Sequence, residues 1–142
     1  MITTPVAIET QRFGEVSVEP DSVFELGSPL PGFEKSSRYA LLSFAEFQPF
    51  AWFQSIDEAD VCLPVVDPWR YFPDYQPNLC HETLGSLGLE EDSEIAVYCV
   101  VSPHENGLCL NLLAPLVLHQ ARQRAEQIIL EDSDYSLAQL ME

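Results

Sequence analysis

Asp67 and Asp74 bracket the most aromatic stretch of the chain, Asp67-Pro68-Trp69-Arg70-Tyr71-Phe72-Pro73-Asp74-Tyr75. Two acids beside an apolar cluster can divide the work of hydrolysis, one kept protonated by burial and the other ionised. An Asp next to proline also has a competing local role, because its carboxylate accepts backbone N–H bonds in turns. No recognised helper motif accompanies the pair: there is no glycine-rich phosphate loop, no Gly-x-Ser-x-Gly elbow and no His-Glu-x-x-His. His81, His104 and His119 are far apart and read as surface or loop residues. Cys62, Cys80, Cys99 and Cys109 lack the close pairs of a zinc site, Cys80-His81 being the one adjacent couple. Three of these cysteines fall in apolar strand-like runs, where a thiol packs as a small hydrophobe. The residues therefore predict no catalytic set, no metal and no cofactor. They leave aromatics on proline-shaped loops, Phe33, Trp69, Tyr71, Phe72 and Tyr75, as candidate partner contacts, with filling of the core as the alternative.

Short strands must carry these loops. Gly14–Val18 alternates apolar with polar residues before Pro20-Asp21, and Phe24-Glu25-Leu26 repeats the pattern. Residues 27–33 hold two prolines and two glycines and predict a shaped loop. Residues 39–44, 50–56 and 61–66 are aromatic and β-branched runs, with Pro64 predicted at an edge or bulge. Asn78, Leu79, Thr83, Leu84, Leu87 and Gly88 predict one short amphipathic helix. Residues 95–101 are apolar on both faces, as in a closed or sandwiched sheet. Residues 108–118 continue that pattern across Ala114-Pro115, and Gln127-Ile128-Ile129-Leu130 predicts the last strand. Between them, residues 119–126 fit either a helical turn or a long hairpin. Ser133 or Asp134 could cap a terminal helix bearing Leu137, Leu140 and Met141, and a flexible tail over 132–142 is the other expectation. The fold class expected is mainly β: a small single-domain β-barrel-like fold over 1–142 with one or two short helices.

Charge narrows the partners. The 142 residues carry 23 acids against 6 Lys and Arg, a formal charge of -17. Binding to phosphate backbones needs massed cations, and Arg12, Lys35, Arg38, Arg70, Arg122 and Arg124 are scattered, so direct nucleic-acid binding is not expected. The acids form short clusters at 57–60, 90–94 and 131–134 that read as turns and strand ends. No apolar run reaches the ~20 residues of a membrane span, and no signal peptide is recognisable at the N-terminus. A cytoplasmic monomer attractive to basic proteins is the expectation.

Several strings in succession resemble one family, the bacterial flagellar assembly factor FliW: Leu30-Pro31-Gly32-Phe33-Glu34, Phe50-Ala51-Trp52-Phe53-Gln54-Ser55, Asp67-Pro68 with Phe72-Pro73-Asp74-Tyr75, Asn111 with Ala114-Pro115, and Gln127-Ile128-Ile129-Leu130 before Tyr135. They cover the chain from about Phe13 to Tyr135. His119 and Ala138 stand where the family often has Asn and Arg. The resemblance implies a small barrel-like fold, no catalysis, and two protein partners, flagellin and the translational regulator CsrA. It implies that flagellin occupies the protein while plentiful, and that the freed protein binds CsrA and relieves repression of flagellin translation. Two alternatives remain, an acidic nucleic-acid mimic that binds a basic protein and a small hydrolase using Asp67 and Asp74.

Overall fold

The computed structural model describes residues 5–77, 95–105, 107–130 and 133–141. Among the described residues eleven strands follow one another: β1 (Val6–Thr10), β2 (Gly14–Val18), β3 (Val23–Leu26), β4 (Arg38–Leu42), β5 (Phe50–Ser55), β6 (Cys62–Val66), β7 (Ala96–His104), β8 (Gly107–Leu110), β9 (Leu116–His119), β10 (Arg124–Gln127) and β11 (Gln139–Leu140). Single 3-10 turns lie at Pro20–Ser22, Ala45–Phe47 and Pro68–Arg70. Hydrogen bonding runs β7-β6-β5-β4-β3-β10-β9, and β9 returns to β7, closing a seven-stranded barrel. All of these pairs are antiparallel except β10 with β3, a parallel contact made through Arg124↔Glu25 and Ala125↔Leu26. β8 and β11 extend the sheet outward from β7, and β1–β2 is a separate hairpin.

Alternation within the strands sorts side chains into an interior and two outer layers. Phe24, Leu26, Tyr39, Phe53, Val65, Leu116 and Leu118 meet inside the ring, where the Tyr39 and Phe53 rings stack with centroids 4.5 Å apart. Their neighbours Ala40 and Leu42 face outward and are covered by Ile8 and Val18 of the hairpin. Phe13 at its tip packs on Phe44 and Trp52, and the Arg12 guanidinium sits 4.6 Å from the Trp52 ring centroid. A second outer layer joins Val66, Val97, Cys99, Val101, Leu110, Val117 and Leu130 to Tyr75. β7 thus serves the barrel interior with Tyr98 and Val100 and the outer layer with Val97, Cys99 and Val101. This double duty accounts for its apolar character on both faces, although the inward residues stay half-buried because the ring is open at its ends.

β8 and β9 run along the same edge of β7, with Val101↔Leu110 on one side of a break and Tyr98↔Leu116 on the other. Residues 111–115 bulge out between them, held by an Asn111 Oδ1 that accepts from Ala114 N at 3.0 Å. The continuous strand expected over 108–118 is therefore interrupted. Residues 119–126 form the β9–β10 hairpin, with no helix; Gln123 takes φ 54°, and its side-chain amide donates to the carbonyls of Pro20 and Val23. The last strand is not 127–130 but β11: the ladder of β10 ends at Gln127, and Ile128 and Leu130 follow in its register by donating to the carbonyls of Pro115 and Leu113 in the bulge. The terminal helix is also corrected. Residues 133–141 hold no helix and only one turn, at Leu137–Ala138, with Leu112 N and Leu113 N donating to Ser136 O and Met141 N to Leu108 O. Pro64 lies within an interior strand, opposite Trp52 and just outside the two-residue ladder from β6 to β7, so its missing N–H breaks no bond there. The helix expected over 78–88 lies outside the described residues.

Candidate functional site

Phe33 is set by a turn. Pro31 fixes φ and Gly32 takes φ 87°, the pattern of a type II turn from Leu30 to Phe33, closed by Phe33 N to Leu30 O at 2.9 Å. Gly32 N also donates to Glu34 Oε2 at 2.8 Å. Behind the turn, the Ser36 and Ser55 hydroxyls share a buried 2.7 Å hydrogen bond, and Ser36 Oγ donates to Glu58 Oε2 at 3.0 Å. Asp57 Oδ2 accepts from the backbone N–H of Ser37 and Arg38 at 2.8 and 3.1 Å, and these bonds hold its carboxyl below the usual 3.8. The loop is thereby pinned to the β5–β6 turn. Leu30 drops into the barrel and Phe33 stays half-buried at its mouth.

That mouth is a cleft of about 390 Å³ between the Leu30–Phe33 turn, the inward side chains Leu63 and Val100, the 111–115 bulge, Ile129 and Leu137. Ile129 and Leu137 are 60% and 61% exposed, the highest among the described large hydrophobics. Sequence reasoning passed over both: Ile129 read as a strand residue and Leu137 as one face of a helix, and only their place beside Phe33 distinguishes them.

The other predicted contacts fold into one stapled loop. Asp67 Oδ1 accepts from Trp69 N at 2.9 Å and starts the Pro68–Arg70 turn. Trp69 Nε1 donates to Tyr75 O at 2.7 Å, Tyr75 Oη donates to Leu112 O at 2.7 Å, and the Tyr135 ring meets Tyr75 edge-on at 4.7 Å. Tyr75 is 3% exposed, and burial pushes its hydroxyl pKa well up. Tyr71 lies against Phe50 with centroids 6.5 Å apart, and Tyr71 and Phe72 are half-buried on the outer layer. Trp69, at 38% exposure, is the most accessible of the four. The structure thus brings Trp69, Tyr71, Phe72 and Tyr75 together and leaves Phe33 in a separate place at the mouth.

The hydrolytic pair does not assemble. Asp67 is committed to its turn, and both Asp67 and Asp74 are exposed, without the apolar enclosure such a pair needs. No cluster of three or more His, Cys, Asp or Glu suited to a metal occurs among the described residues. His104 is exposed, but His119, expected at the surface, is buried in β9, where its Nδ1 accepts from Arg122 N at 3.0 Å and shapes the hairpin. Burial pushes the Cys99 thiol up to about 12 and raises that of Cys62. Among the described residues no helix is long and apolar enough to cross a membrane.

Comparison with known proteins agrees with this architecture. A crystal structure of the flagellar assembly factor FliW superposes with a TM-score of 0.85 over 94% of each chain at 24% identity, a likeness of fold. The flagellar assembly factor FliW of Syntrophus aciditrophicus is 36% identical over 92% of this chain and 84% of its own. That of Thermotoga neapolitana is 34% identical over 94% and 92%. The family model for FliW protein matches residues 7–141. With nearly its whole length inside that match, the chain belongs to the FliW family of flagellar assembly factors.

Proposed function

We propose that this protein holds flagellin and antagonises the translational regulator CsrA in the cytoplasm, coupling flagellin synthesis to assembly, and that it does so by contact without catalysis. The observation that carries the reading is a surface of unlike parts: apolar side chains at Ile129, Leu137 and Trp69 are exposed, with Phe33 half-buried beside the first two, on a chain of charge -17. Apolar anchors supply affinity and the acidic field selects basic partners and speeds encounter. CsrA-type proteins bind RNA through basic surfaces, so acids docked beside that surface oppose RNA without covering it. With a Debye length of about 8 Å at physiological salt, only acids near the docked edge contribute.

Mixing the purified protein with CsrA and with flagellin, alone and together, tests the reading. Each partner is expected to form a complex, and flagellin to displace CsrA; failure to bind either one removes that half. Phe33→Ala and Tyr71→Ala sort contact from packing: a contact residue weakens binding about tenfold or more with unchanged melting temperature, whereas a packing residue lowers the melting temperature itself.

A further inference from the structure

We propose that His119 is a proton-operated latch on the β9–β10 hairpin: its bare Nδ1 holds the turn closed, and protonation of that atom lets the turn and the barrel seam behind it open. The latch stands apart from the choice of partner. His119 is 7% exposed at the end of β9, and its Nδ1 accepts from Arg122 N at 3.0 Å. A ring nitrogen that accepts a hydrogen bond carries no proton, so the bond and the imidazolium are mutually exclusive. Residues 120–122 are exposed, and the turn's other backbone tie is Gln123 N to Gln120 O at 3.1 Å. Gln123 is where the turn meets the barrel. Its side-chain amide donates to Pro20 O and Val23 O, and its carbonyl accepts from Glu25 N at 2.9 Å. Behind it the parallel seam of β10 with β3 is two residue pairs long, Arg124↔Glu25 and Ala125↔Leu26. A seam this short depends on the turn that presents it, so loss of the His119 cap reaches the closure of the ring. Water reaches the imidazole, because His119 lines a hollow of about 750 Å³ at this end of the barrel with Asp21, Tyr98 and Gln123. Among the described residues, the charged and titratable groups around it start with its register partner Arg124 on β10, with Glu126 two residues on and Glu25 opposite on β3. Arg122 in the turn, Tyr98 on β7 and Asp21 ahead of β3 complete them. These charges move the pH at which the latch works, whereas the exclusion of bond by proton holds whatever that pH is. The chain also holds a version of the cap that does not titrate: Asn111 Oδ1 accepts from Ala114 N, again three residues on, at 3.0 Å.

The test uses the full chain and two variants: His119→Asn, which keeps an acceptor that does not titrate, and His119→Leu, which keeps bulk and has no acceptor. Residue-resolved amide exchange from about pH 7.5 to about pH 5.5 reads the latch, and nitrogen NMR shifts of the imidazole read the proton. Exchange is expressed as protection, so that its intrinsic pH dependence cancels. Wild-type His119 is expected to carry its hydrogen on Nε2 at the upper pH and to titrate within the range. Protection of Arg122 N is expected to fall about tenfold with that titration, the worth of one hydrogen bond. Protection of Glu25 N and Gly27 N, which donate to Gln123 O and Ala125 O across the seam, should fall with it. His119→Asn should stay protected throughout, and His119→Leu should be open throughout. Amides of the β4–β5 ladder are the internal control and should not change. A hydrogen on Nδ1, a ring that does not titrate in this range, or equal loss of protection in wild type and His119→Asn overturns the proposal. So does a loss that spreads equally to the β4–β5 ladder, which is general unfolding by acid. If His119→Asn does not fold, wild type alone decides: ring titration and Arg122 exchange must share one midpoint, and separate midpoints overturn the latch.

Discussion

Burial ranks the thiols of this protein. Cys99 lies fully inside the outer layer, its pKa raised to about 12, while Cys62 is half-buried beside the β5 ladder. Because the thiolate is the nucleophile, iodoacetamide at pH 8 is expected to modify Cys62 well before Cys99, and peptide mass mapping over time checks the order. Asp57 acts through its two backbone bonds. Its folded pKa lies below 3.8, so its contribution is complete above that value and disappears as pH falls through the folded one. Asp57→Ala is expected to cost about 1 kcal/mol at pH 7, and the difference from wild type in urea melts to vanish at still lower pH. Phe53→Ala removes the ring stacked on Tyr39 and should cost about 3–5 kcal/mol. The turn carrying Phe33 was legible because Pro then Gly at its centre encode the dihedrals directly. His119 was not, since nothing local separates a buried strand-end histidine that caps its own hairpin from a loop residue.

At the level of elements, the alternating and doubly apolar runs marked most of the strands of the ring, because burial imposes a period of two wherever one layer is covered. β1 and its docking surface were not visible. Their pairing depends on Phe13 and Trp52, which are 39 positions apart and come together only when the barrel forms. The C-terminal segment misled for a definite reason. Leu137, Leu140 and Met141 have helical spacing, but the chain gains more by crossing the outer layer without a helix, with Tyr135 on Tyr75 and Ser136 O accepting two N–H bonds. Tyr135 Oη also accepts from Gln76 N at 2.7 Å, so the segment straps the aromatic loop as well as the sheet. Tyr135→Ala is expected to cost about 2 kcal/mol and to make residues 133–141 the first site of limited proteolysis; unchanged digestion would show that the strap is held without it.

For the molecule as a whole, the charge of -17 predicts that the antagonism of CsrA proposed above weakens with salt. Loss of RNA binding by CsrA on adding this protein, measured from about 50 mM to about 500 mM salt, should show the decline, and reversal of acids near the docked edge should reproduce it at low salt. An effect indifferent to both would exclude the electrostatic account.

Ring closure also orders events on the ribosome. β7 lacks its partner β9, and β3 lacks β10, until residues 116–127 have been made. Until they have, the nascent chain carries two bare strand edges and an unfilled interior, which only β9 and β10 can seal. Ribosomes stalled before that stretch should expose a chain that chaperones recognise, whereas a stall after β10 has cleared the ribosome should leave one that they ignore.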